Sequence, residues 1–240
     1  MADFVLVHGA WHGGWCWSRV AEPLRRAGHR VFTPTLTGLG ERSHLATRET
    51  NLDTHIADIN SLIEFEELRS VILCGHSYGG IVITGVADKI PDCLSTLVFL
   101  DAFIPNDGQS MQDLLPPERR LQAERIVAEQ GDGWLIPARS AVSFDVADTE
   151  DRAWVDRRCV PHPFETMRQG VKLSGAWCAV PRKVYVKATG YQKSPFGPYA
   201  DRVRHDPAWE YLECACGHDV MVDDPNWLIS LFTDVASRTA

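Results

Sequence analysis

No apolar run in this chain approaches the roughly 20 residues needed to cross a bilayer, so no membrane-spanning role is expected. No basic cluster offsets the formal net charge of −8, which argues against a nucleic-acid partner. No C-x-x-C pair occurs among the seven cysteines, and Cys214-Ala215-Cys216 is too tight for ordinary zinc spacing, so no metal site is expected. An odd set of scattered thiols fits a reducing cytoplasm. Neither a basic n-region nor a cleavage site precedes Phe4-Val5-Leu6-Val7, and no secretory signal is expected. Internal repeats and low-complexity segments are also missing. What remains is a soluble globular composition, 45% hydrophobic and 23% charged over 240 residues, long enough for one domain with a sizeable core.

Short β-branched runs alternate with helical patterns, which predicts an α/β fold: a mostly parallel six-stranded sheet flanked by helices. The strand candidates are Phe4–Val7, Arg30–Thr33, Ser70–Cys74, Thr96–Leu100, Arg182–Val186 and Trp209–Glu213. Helices are expected near Ser18–Ala27, Asp53–Glu67 and Tyr78–Lys89, and from about Pro225 to Ala236. The stretch from about Asn106 to Val180 breaks the rhythm. Proline-rich, partly helical from Glu118 to Gln130 and without a clear strand, it reads as a helical cap inserted into a core made of 1–105 and 181–240.

The most informative segment is Gly75-His76-Ser77-Tyr78-Gly79, a G-x-S-x-G directly after Val71-Ile72-Leu73-Cys74 and directly before a helical pattern. A serine on so tight a strand-to-helix turn is forced into a strained backbone with its hydroxyl exposed. The helix N-terminus behind it suits developing negative charge. Serine is a weak nucleophile and needs a base, an acid to orient that base, and donors for an oxyanion. Among nine histidines, His218 follows the last strand candidate and is the expected base. His8-Gly9-Ala10 ends the first strand, so the backbone N–H groups of Ala10 and Tyr78 are the expected oxyanion donors.

The acid is less direct. The penultimate strand leads into Lys187-Ala188-Thr189-Gly190, which offers no carboxylate. Asp101, a lone charge after the apolar run Leu97–Leu100, is costly to bury unless paired, and the Nδ1 of His218 would supply that partner. The alternative role for Asp101 is to cap a loop through backbone amides. Asp219, Asp223 and Asp224 are weaker candidates, since sequence neighbours of a histidine seldom reach its far nitrogen. Trp11, His12, Trp15 and Trp134 are pocket candidates. Cys16 and Cys216, each close in sequence to a catalytic loop, are expected near the active centre, where thiol reagents would block it.

With elbow, oxyanion loop, cap and late histidine in place, the chain resembles the α/β-hydrolase superfamily over essentially its whole length. The run Phe4–Trp17 and the stretch Thr33-Pro34-Thr35-Leu36-Thr37-Gly38-Leu39-Gly40-Glu41-Arg42 are most similar to the plant methylesterase and hydroxynitrile lyase branch and its bacterial relatives. The resemblance implies a serine esterase needing no cofactor and acting on a small-molecule ester, with a methyl carbamate as the alternative substrate. Hydroxynitrile lyases carry a lysine after the catalytic histidine and a threonine after the first-loop histidine. Asp219 and Gly9 stand at those places here, which disfavours cyanohydrin cleavage. The position of Asp101 resembles the alternative acid of haloalkane dehalogenases, whose aspartate nucleophile Ser77 replaces. A hydrolase-fold ligand receptor with little turnover, and acyl transfer to an added alcohol, remain open at this point, as does a homodimer.

Overall fold

The computed structural model describes residues 1–238. Six strands form the main sheet: β1 (Asp3–Val7), β2 (Arg30–Phe32), β3 (Val71–His76), β4 (Leu94–Leu100), and then, past a long excursion that holds β5 (Leu135–Ile136) and β6 (His162–Pro163), β7 (Arg182–Ala188) and β8 (Glu210–Cys214). Their order is β2-β1-β3-β4-β7-β8, and every ladder is parallel. Parallel strands covered on both faces need unbroken apolar sequence rather than alternation. β3 meets that demand, since all six of its residues are buried.

Helices α1 (Ser18–Arg26), α2 (Leu52–Phe65) and α3 (Gly79–Lys89) supply the first crossovers. α2 opens on a capping box, in which Asn51 Oδ1 accepts from Thr54 N at 3.0 Å and Asn51 N donates to Thr54 Oγ1 at 3.4 Å. It buries His55, Ile56, Ile59 and Ile63 on one face. α3 is apolar on nearly every side because it lies between the sheet and other helices, with Gly79 through Ala87 all buried. Each large core side chain such as Phe99 or Leu73 contributes about 1.5–3 kcal/mol by leaving water.

Residues 106–180 form the excursion between β4 and β7. It holds α4 (Pro117–Gln130), α5 (Thr149–Asp156), α6 (Glu165–Arg168) and an antiparallel pair, β5 (Leu135–Ile136) with β6 (His162–Pro163). Two-residue strands are too short to show alternation, which is why the sequence displays no strand there. Between β7 and β8 runs α7 (Gly197–Arg204), a short polar helix with proline in its first turn that lies outside the helices expected from periodicity. The chain closes with α8 (Val220–Asp223) and α9 (Pro225–Ser237), whose N-cap Asp224 accepts from Trp227 N at 3.1 Å. No helix among the described residues is long and apolar enough to cross a membrane.

Candidate active site

Parallel strands deliver their following loops to one edge, and here that edge collects the loops after β1, β3, β4, β7 and β8. Ser77 sits between β3 and α3 at φ 57°, a left-handed conformation that costs a non-glycine residue about 1–3 kcal/mol. The turn closes because its neighbours have no side chains. A Cβ on Gly75 would lie 2.5 Å from the Gly79 carbonyl oxygen, and one on Gly80 would lie 2.3 Å from that of Phe103. The elbow is also tied to the end of β4, where Ser77 N donates to Leu100 O at 3.2 Å and Phe103 N donates to Ser77 O at 3.3 Å.

Asp101 ends β4 in a second left-handed turn, at φ 41°. Its carboxylate is wholly buried. Burial without donors would be prohibitive, and three are present: His218 Nδ1 at 2.7 Å, Lys187 Nζ at 3.2 Å and Ala188 N at 3.3 Å. The first fixes the tautomer of His218 and leaves Nε2 for other work. The ring of His218 stacks on Tyr191 (4.7 Å) and Phe196 (5.1 Å), and its backbone N donates to Phe144 O at 2.8 Å. Ser77 and His218 line one cavity of about 860 Å³. Among the described residues, the N–H groups of Ala10 and Tyr78 donate to no protein acceptor.

Five more histidines are buried around this edge, four of them neutral. His8 Nδ1 donates to Gly9 O at 2.8 Å and its Nε2 accepts from Leu36 N at 3.1 Å; burial takes its pKa down to about 3. Burial likewise takes His55 to about 4, where its Nε2 donates to Thr37 O (2.8 Å) and Tyr78 Oη donates to its Nδ1 (2.9 Å). His76 and His162 are pushed well below 6.5, first by burial and then by neighbouring histidines. His162, in the excursion, accepts from Trp11 N at 3.2 Å, while Val160 N donates to Trp11 O at 3.0 Å. The residue after Ala10, itself left-handed at φ 66°, is thus strapped from above. A histidine in a helix or a polar loop is ordinarily solvated, but His55 and His162 are wholly buried.

His12 is the exception. Its Nδ1 faces Ala10 O at 2.8 Å and its Nε2 faces Asp219 Oδ2 at 3.2 Å. Both are acceptors, so both nitrogens carry protons and the ring is a buried imidazolium. Burial opposes that charge, but Asp219 and Cys159 outweigh it and hold the pKa well above 6.5. Burial alone would raise Asp219; the charge and hydrogen bond of His12 instead bring it to about 2.

Of the four pocket candidates, Trp11 lines the cavity with Ser77. His12 lies beneath the loop and stacks on Trp15 at 5.3 Å, and Trp15 in turn meets Trp154 edge-on at 4.9 Å, so neither is a wall residue. Trp134 borders a separate hollow of about 160 Å³ beside Arg48 and Arg168. These three expectations are corrected for one reason: neither proximity in sequence to a functional loop nor a place in the cap says which way a ring points. The same holds for Cys16, which is fully buried, and Cys216, which is half-buried beside Cys214 at 3.3 Å; neither lines the cavity. Sequence reading missed Lys187. Its signal was legible, since it is the cation that ends the apolar run Val184-Tyr185-Val186, just as Asp101 is the anion that ends Leu97–Leu100.

A family model described as "Alpha/beta hydrolase family" matches residues 4–231. The chain is 48% identical to the carbendazim hydrolyzing esterase of Nocardioides sp. (strain SG-4G), over 95% of this chain and 97% of that one. It is 38% identical to Methylesterase 2 of Arabidopsis thaliana, over 45% of this chain and 41% of that protein. Among solved structures, an extracellular alpha/beta-hydrolase from a Paenibacillus species, described as a structural and functional homologue of tobacco Salicylic Acid Binding Protein 2, superposes with a TM-score of 0.86. That match has 26% identity and covers 98% of both chains. Tomato Methylketone Synthase I shares the fold, with a TM-score of 0.82 at 21% identity over 100% of this chain and 99% of that one.

Proposed function

Since the chain belongs to the alpha/beta hydrolase family, we propose that it is a serine esterase that opens small carboxylic esters through an acyl-enzyme on Ser77. The carbendazim hydrolyzing esterase and Methylesterase 2 are named esterases, and the chain is an enzyme of that kind. The observation that carries the finer reading is the 2.7 Å bond from His218 Nδ1 to a fully buried Asp101, on a ring that shares its cavity with Ser77.

In this reading Nε2 of His218 takes the Ser77 proton as Oγ attacks the carbonyl carbon. The Ala10 and Tyr78 amides hold the oxyanion, each worth about 3–4 kcal/mol to the transition state. Asp101 stabilises the imidazolium, and His218 then protonates the leaving alcohol. Water activated by the same histidine clears the acyl group. No step calls on a cofactor. Identity to the carbendazim hydrolyzing esterase favours a second substrate, a methyl carbamate opened by the same steps. Cyanohydrin cleavage stays disfavoured, because Asp219 occupies the place of the lyases' lysine and is itself bound to His12. Free thiols at every cysteine fit a cytoplasmic setting.

Intact mass after brief exposure to a fluorophosphonate tests the reading. One adduct in the native chain and none in Ser77→Ala is the expected result, followed by turnover of methyl esters and methyl carbamates. Folded protein without an adduct contradicts it.

A further inference from the structure

We propose that the mouth of the Ser77 cavity holds an anionic group, so that the preferred substrate carries a carboxylate or similar charge at the end remote from the scissile bond. The inference rests on the esterase reading and adds a substrate class to it.

The interior of the cavity is apolar, walled by side chains such as Phe103, Met111, Leu115, Met167 and Phe196. Its charged lining is of one dominant sign: Arg119, Arg139 and Lys193 against the single carboxylate of Asp145. This contrasts with the chain as a whole, whose net charge is −8. Asp145 is already engaged, since its Oδ2 accepts from Gln192 N at 2.9 Å. Among the described residues none of the three cations has a carboxylate within 4.0 Å. The next residue on α4, Arg120, pairs with Asp113 at 3.5 Å, so the unpaired arginine is the one that faces the cavity.

The two arginines are held in place by neutral contacts. Arg119 donates to Lys193 O at 2.9 Å, which joins α4 to the loop after β7, and the Arg139 guanidinium lies over the Trp11 ring at 5.7 Å. Arg139 and Lys193 are exposed and Arg119 is half-buried, which puts the charge at the rim while Ser77 and His218 lie buried below. Their field reaches inward. Burial raises the pKa of Tyr191, and Arg139 and Arg119 act against it; Tyr191 stacks directly on His218. An apolar wall with a cationic rim focuses such a field on whatever enters. A neutral ester would leave these three charges without partners, whereas an ester with a distal carboxylate satisfies both zones at once.

The test separates binding from chemistry by using Ser77→Ala with two probes: monobenzyl adipate, which bears a terminal carboxylate, and benzyl methyl adipate, which does not. At about 20 mM salt the anionic probe is expected to bind roughly tenfold more tightly, with the advantage shrinking to within about twofold at about 300 mM. Adding Arg119→Gln, Arg139→Gln and Lys193→Gln together is expected to abolish the preference. Equal binding of the two probes, or a preference that survives both salt and the triple change, overturns the proposal. Hydrolysis by the native chain reports on Ser77 separately. Turnover without preference sinks the cationic rim alone, and preference without any turnover sinks the esterase reading and leaves the rim standing.

Discussion

Replacing Asp101 with asparagine changes one atom, and the surroundings of that side chain dictate which way the new amide must turn. One carboxylate oxygen faces two donors, Lys187 Nζ at 3.2 Å and Ala188 N at 3.3 Å, while the other faces His218 Nδ1 at 2.7 Å. The asparagine oxygen is drawn to the side with two donors, one of them cationic. Its NH₂ then confronts His218, and Nδ1 must accept rather than donate. The proton moves to Nε2, the nitrogen that has to accept from Ser77. The ring keeps its position between Tyr191 and Phe196 but holds the wrong tautomer. A triad disabled in this way loses about 10⁴ in kcat, or about 5.5 kcal/mol of transition-state stabilisation. KM is expected within about threefold of native, because no cavity wall moves. Steady-state turnover of an activated aryl ester measures both constants, with circular dichroism to establish that the variant is folded. A folded Asp101→Asn enzyme within tenfold of native kcat would refute the tautomer reasoning and move the orienting acid elsewhere.

Further consequences can be measured on the same preparations. His8, His55, His76 and His162 are neutral when folded, with values lowered to about 3 and about 4 for the first two. Stability from a lowered histidine is present above its unfolded value and lost as pH falls toward the folded one. His12 is raised, so its contribution is intact below 6.5 and declines only as pH climbs through its folded value. Asp219 contributes above 3.8 and is lost only near 2. Below pH 6.5 the unfolded chain binds up to four more protons at these histidines, and their limiting slope is about 5 kcal/mol per pH unit; urea unfolding that yields the same free energy at about pH 7.5 and about pH 5.5 would contradict this. Asp219→Asn strands the His12 imidazolium and is expected to lower stability by about 3–5 kcal/mol, with a loss under about 1 kcal/mol counting against the buried pair. Disulfide-exchange reagents are expected to label exposed Cys178 first and leave activity intact, since neither Cys16 nor Cys216 lines the cavity; inactivation in step with the first thiol modified would revive the blocking idea.

Local chemistry made much of this protein legible from its sequence. Short apolar, β-branched runs alternating with helical patterns read as the strands of a parallel sheet, so the six core strands and their parallel pairing followed, with ends misplaced by one to two residues. G-x-S-x-G was decisive because its two glycines, Gly75 and Gly79, have carbonyl oxygens 2.5 and 2.9 Å from where a Cβ would stand, closer than a side chain tolerates. Asp101 was found by a cost argument, since a lone carboxylate in an apolar run demands a partner. Tertiary structure alone decided which groups became partners and which faces met the cavity. Lys187 shares Asp101 with His218 because β7 lies beside β4, an adjacency that sequence distance hides. His12 pairs with Asp219 across more than 200 residues, and His162 comes down from the excursion onto Trp11. Ring direction at Trp15 and Trp134, the charge of His12 and the cationic rim are all sums over loops from distant parts of the chain. Periodicity and motif spacing are local quantities; solvation, charge and ring orientation at this site are set by neighbours that only folding brings within a few ångströms.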